Sequence, residues 1–147
     1  MRRFTCQNFS TKNLGGFTVI ELLVVIAIIG ILATIVVVPL NDVRNKGRDA
    51  SAKTSMSDIR VYADVFFTNN GYSYDNGVAD ICDDAQIVTL RDAAENQTGN
   101  TTTCESNSSA YAVWVQLRAV NTYFCVDSDG FSGDIGLSPP LPGSTVC

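Results

Sequence analysis

The 147-residue sequence is 46% hydrophobic, carries a formal charge of −5 and contains no histidine. The acidic balance argues against an electrostatic nucleic-acid footprint. The missing imidazole removes the commonest metal ligand and the commonest general base near neutral pH.

Residues 1–16 hold Arg2, Arg3 and Lys12 and no acid. A basic flank before an apolar segment keeps that end on the cytoplasmic side. Removing these residues takes the formal charge from −5 to −8 and takes Cys6 with it.

Residues 22–38 contain no charge. With Phe17, Thr18, Val19 and Ile20 before them and Pro39 and Leu40 after, they are long enough to span a hydrocarbon core of about 30 Å as a helix. Glu21 is the lone carboxylate near the start of this run. A charge in that setting is expensive, and is usually paired and functional. The run offers no cation. A cut after Gly16 would create one, the α-amine of Phe17. A secretory signal peptide would have a shorter apolar region followed by a small-residue cleavage site; here the run ends in Val36-Val37-Val38-Pro39.

The stretch Gly16-Phe17-Thr18-Val19-Ile20-Glu21, continued by the apolar run to Leu32, resembles the class III signal of type IV pilins and type II secretion pseudopilins. The resemblance covers about the first quarter of the chain. It implies cleavage between Gly16 and Phe17 by a membrane peptidase, N-methylation of Phe17, and polymerisation into a helical filament. It also implies that Glu21, Gly30 and Pro39 serve assembly. Glu21 would pair with the Phe17 α-amine of an adjacent subunit, and Gly30 and Pro39 would mark where the helix bends or melts. Proline removes a backbone donor, and glycine weakens a helix by about 1 kcal/mol against alanine.

One helix is expected over residues 17–68, apolar all round in its first half. From Asn41 it turns amphipathic: Ala52, Met56, Ile59, Ala63 and Phe66 recur at spacings of four and three, with Tyr62 widening the stripe. The cations Arg44, Lys46 and Arg48 read as a solvated collar. Asn69-Asn70-Gly71 stops the helix, glycine taking the left-handed cap.

Residues 72–109 are polar. A short helix is expected near 85–96, where Ile87, Leu90 and Ala94 share a face, and loop elsewhere. Outside the leader the cysteines are Cys82, Cys104, Cys125 and Cys147, spaced by 22, 21 and 22 residues with no Cys-x-x-Cys pair. Zinc or iron–sulfur ligation is disfavoured. An even number facing an oxidising compartment reads as two disulfides. Three connectivities exist; pairing Cys82 with Cys104 and Cys125 with Cys147 closes the shorter loops and is favoured.

Residues 111–117 and 122–126 carry the β-branched and aromatic residues of two strands, and 131–137 suggest a third. Alternation leaves open whether Val113, Val115 and Leu117 face the helix or Trp114 does. Asp127, Asp129 and Asp134 surround a turn at Asp-x-Asp-Gly spacing, a pattern that suits calcium but is favoured here as a turn for backbone reasons. Major pseudopilins bind calcium in a C-terminal loop, so the resemblance adds Ca²⁺ as a candidate cofactor. The twelve-residue loop with terminal glutamate is absent.

The expected fold is α+β: a long N-terminal helix on a small antiparallel sheet. Its parts are a leader at 1–16, a transmembrane and assembly helix at 17–40, and an extracytoplasmic head at 41–147. The head would hold an amphipathic helix at 41–68, a disulfide-stapled loop at 72–109 and a β-region at 110–147. No nucleophile–base pair, phosphate loop or catalytic carboxylate pair is visible, and no enzyme is expected. The resemblance implies a filament subunit that crosses the inner membrane once, meets a prepilin peptidase and an inner-membrane assembly platform, and ends at the cell surface without contacting nucleic acid itself. Adhesion, motility or DNA uptake would be its work. The alternatives are a major pseudopilin of type II secretion and a monomeric membrane-anchored binding domain, the last having no dependence on Glu21.

Overall fold

The computed structural model describes residues 16–37 and 40–147. The chain divides into two compact units, Met1–Val38 and Pro39–Cys147. Two helices, α1 at Val19–Val37 and α2 at Leu40–Asn69, stand where one was expected over 17–68. Their boundary falls at residues 38 and 39, so the expected kink at Pro39 lies outside the described residues.

In the first unit, α1 is built from Leu, Ile, Val and Ala on all sides. Every side chain described from Phe17 to Thr34 is exposed, with Phe17 and Val19 at 76%. An all-round apolar helix has no face to turn to water. Among the described residues no helix is long and apolar enough to cross a membrane. The side chains described in α1 rise only about 24 Å, short of a core of about 30 Å; the apolar run itself continues to Val38.

The second unit is a four-stranded antiparallel meander in the order β1-β2-β3-β4: β1 Thr102–Ser106, β2 Tyr111–Gln116, β3 Tyr123–Asp127 and β4 Ser132–Gly136. One face packs on α2 and on α3, Ala85–Thr98. Ala52, Met56, Ile59 and Ala63 of α2 are fully buried against Val113, Val115, Leu117, Phe124 and Val126. Period-two alternation puts Trp114 on the opposite face, in a second cluster with Ala112 and Cys125 covered by Tyr123, Ile135 and Cys147. This settles the choice that alternation alone leaves open. Tyr62 does not widen the buried stripe: it is 43% exposed, because at 3.6 residues per turn it lies about a quarter turn from the centre of the face that Ala52, Met56, Ile59 and Ala63 bury.

Helix ends follow local chemistry. Gly71 takes φ +70°, and the Tyr72 N–H reaches back to Phe67 O at 2.9 Å, closing α2 in the left-handed manner glycine permits. The Asp84 carboxylate caps α3 through the Gln86 and Ile87 N–H groups. Strand β1 lies in the segment expected to be loop. Its sequence, Thr-Thr-Cys-Glu-Ser, buries one side chain only, so it carries no alternation, and pairing with β2 forms it.

A buried carboxylate ties α2 to the sheet. Asp49, 5% exposed, accepts hydrogen bonds from the N–H groups of Arg118 and Ala119 at 2.9 and 2.7 Å. Removing it leaves two donors without partners, so Asp49→Ala is expected to lower head stability by about 3 kcal/mol, measured by urea unfolding of the processed chain. Burial, aided by the neighbouring Tyr74 phenol, pushes the Tyr111 hydroxyl well above the usual phenol range. The neutral phenol is therefore favoured by folding. Its contribution is fully present below about pH 10, the unfolded value, and is lost as pH rises above it. Tyr111→Phe is expected to flatten the alkaline limb of the stability–pH curve.

Candidate processing and assembly site

The apolar unit opens with Gly16, Phe17 and Thr18 outside the helix and α1 from Val19. Gly16 is exposed, and a Cβ built there meets nothing within 4 Å. The bond between Gly16 and Phe17 thus lies in open, non-helical chain, the form in which a peptidase binds backbone.

Glu21 is not idle in this setting. Its Oε2 accepts the Thr18 N–H at 2.9 Å and the Thr18 hydroxyl at 2.8 Å, while the Thr18 Oγ1 accepts the Glu21 N–H at 3.3 Å. Thr18 is the N-cap and Glu21 the third helical residue, which makes a reciprocal capping box. Orphan donors at the start of α1 are satisfied inside one chain. Thr18 was not among the residues singled out from the sequence, although Thr-x-x-Glu before an apolar run is the signature of such a box. Around it, Phe17, Ile20, Val24 and Val25 line a shallow apolar concavity with Glu21 at its edge. Gly30 lies in mid-helix with open space around its Cβ position, so nothing within its own chain requires glycine there.

Both disulfides pair as favoured: Cys82 with Cys104 and Cys125 with Cys147, at Cα–Cα distances of 5.7 and 5.9 Å. The first staples the 3-10 turn Ile81–Asp83 to β1, and the second fixes Cys147 to β3.

Asp127, Asp129 and Asp134 are not assembled as a ligand set. Asp127 is 2% exposed. Its Oδ1 accepts the N–H groups of Asp129 and Phe131 at 3.0 and 2.9 Å, and its Oδ2 accepts the Cys147 N–H at 3.0 Å. Asp134 pairs with Lys53 at 2.8 Å, a cation that also lies 5.4 Å from the Phe124 ring centroid. Among the described residues no group of three or more His, Cys, Asp or Glu side chains is placed to hold a metal. With these contacts in place, adding Ca²⁺ to chelated protein is expected to leave the unfolding temperature unchanged; a rise would report a loop that rearranges around the ion.

Residues 11–37 match the family model of the prokaryotic N-terminal methylation motif. No curated protein and no solved structure matches the chain. The match covers Gly16, Phe17, the capping pair Thr18 and Glu21, and α1 together.

Proposed function

We propose that this chain, which carries the prepilin-type leader of the type IV pilin and pseudopilin family, is a structural subunit of a type IV pilus-like filament. It enters the inner membrane as a single span, is cut between Gly16 and Phe17 by a prepilin peptidase, is N-methylated on Phe17, and polymerises through α1. The observation that carries this reading is the methylation motif on a helix whose described side chains are all exposed. Such a helix needs lipid first and neighbouring helices afterwards.

The capping box gives Glu21 a partner at each stage. Before assembly, the Thr18 N–H and hydroxyl satisfy the carboxylate within one chain. After the cut, the Phe17 α-amine of a neighbour supplies the counter-charge. Exchange of a local partner for a neighbour's amine lets one carboxylate tolerate the membrane and then set axial register. The disulfide-stapled head suits a filament exposed to an oxidising exterior.

The test is to express the chain with and without a prepilin peptidase and to follow it in membrane and sheared fractions. The pilus reading expects cleaved protein in the sheared fraction only when the peptidase is present. Cleaved protein confined to the membrane fraction would favour the major pseudopilin of a secretion system. Uncleaved protein with the peptidase present would leave a membrane-anchored binding domain.

A further inference from the structure

Two features of the head lack any use within their own chain. The first is Val78, 96% exposed at the tip of a firmly bonded turn. Asp75 and Asp80 bridge its base. The Asn76 carboxamide oxygen accepts the Val78 and Ala79 N–H groups at 2.9 Å, and Asp75 accepts the Gly77 N–H at 2.8 Å. A β-branched aliphatic residue is thus held out on a turn whose backbone groups are satisfied without it. Beside it lies a concavity lined by Phe66, Val78 and the acids Asp75, Asp80, Asp83 and Asp84. Three of these carboxylates accept local backbone N–H bonds, while that of Asp83 makes no hydrogen bond among the described residues.

The second feature is a groove of about 250 Å³ where the first turns of α2 meet the β2–β3 connection. Leu117, Ala119, Val120 and Ala50 give it an apolar lining, with Lys46 and Lys53 at its rim. Asp49 within it is turned to the Arg118 and Ala119 N–H groups, and Lys53 is held by Asp134. Lys46 is exposed and has no ion pair among the described residues. The groove is larger than a valine side chain, and its free charge is opposite to that beside Val78. Residues 50 and 66 of α2 are separated by about 24 Å of helix, so one head cannot fill its own groove.

We propose that the Val78 turn of one copy seats in the Lys46–Leu117–Val120 groove of a second copy, with Asp83 facing Lys46. Such a contact is heterologous: each head offers one knob and one hole on different parts of its surface. Repetition generates an open helix when the rotation between copies does not close, as the filament reading requires. The inference rests on the filament reading and adds to it the residues through which heads meet, beyond the helix–helix contacts of α1. The apolar knob supplies burial, and the Asp83–Lys46 pair supplies register and discrimination against wrong alignments.

The experiment uses the full chain assembled by its own processing machinery. Val78→Cys combined with Val120→Cys should give a ladder of covalent multimers on non-reducing gels of sheared filaments, and neither substitution alone should. Lys46→Glu and Asp83→Lys should each lower the sheared yield about tenfold, as like charges placed together do, with cleaved monomer in the membrane unchanged. The two combined should recover most of it. Wild-type yields in both single variants, no recovery in the pair, or no ladder would overturn the contact while leaving the filament standing. Loss of binding to anionic vesicles in Lys46→Glu, with Val78→Asp assembling normally, would assign the groove to the membrane surface and overturn it too. If the unmodified chain forms no filament at all, the parent reading fails as well.

Discussion

Glu21→Ala protein is expected to be cleaved after Gly16 and to remain in the membrane, with the sheared fraction falling to background. Two separate properties of Glu21 are lost together in that variant. One is the capping box, in which the carboxylate accepts the Thr18 N–H and hydroxyl. The other is the negative charge that, in the filament reading, meets a neighbour's α-amine. Glu21→Gln separates them, since a glutamine can complete the box and carries no charge. Thr18→Val makes the opposite cut, removing the cap hydroxyl and keeping the charge. The filament reading predicts that Glu21→Gln fails like Glu21→Ala, while Thr18→Val assembles. Caps at exposed helix starts are individually modest, whereas a charge enclosed in apolar packing without its partner is strongly unfavourable. The reverse pattern, with Glu21→Gln assembling and Thr18→Val failing, would mean that helix initiation rather than charge pairing is what assembly requires.

Asp127→Ala should be strongly destabilising to the head. The carboxylate is 2% exposed and serves three backbone N–H groups. Two belong to the turn into β4, and the third belongs to Cys147, whose side chain is bonded to Cys125 two residues before Asp127. Truncation strands three partly buried donors, for a loss of about 4 kcal/mol. For a head of this size that corresponds to a fall of roughly 15–30 °C in the unfolding midpoint. Asp127→Asn keeps one acceptor oxygen and should fall between. Circular dichroism melts of the processed chain read both variants. A midpoint within a few degrees of wild type for Asp127→Ala would show that the turn and the chain end are held without it.

The fold was legible where a pattern had a period or a cap. The four-and-three spacing of Ala52, Met56, Ile59 and Ala63 located the buried face of α2, and runs of β-branched and aromatic residues located β2 and β3. Strand β1 was not legible, because Thr102–Ser106 is nearly all polar and owes its conformation to β2 and to the bond from Cys104 to Cys82. Asp49 was equally hidden. An acid beside Arg48 reads as surface, and only the tertiary approach of Arg118 and Ala119 gives it two donors. Asp127 was noticed for the right geometric reason, a turn of Asp and Gly, and its carboxylate is committed to backbone N–H groups. The N-terminal leader was the most legible part, since Gly16, Phe17 and a lone Glu21 before an apolar run lie within residues 11–37, which match the methylation motif. The Thr18 contribution was written in the same residues as a capping box.

The most direct test of the central claim is peptide mass spectrometry on material sheared from cells. The account predicts a trypsin fragment covering residues 17–44, beginning at Phe17 and carrying one added methyl group on its α-amine. The same non-reduced digest should contain fragments 61–91 and 92–118 linked through Cys82 and Cys104, and fragment 119–147 lighter by two hydrogens because Cys125 and Cys147 are bonded within it. A fragment that still runs across the bond between Gly16 and Phe17, or an absence of the chain from sheared material in cells that cleave it, would contradict a processed surface filament.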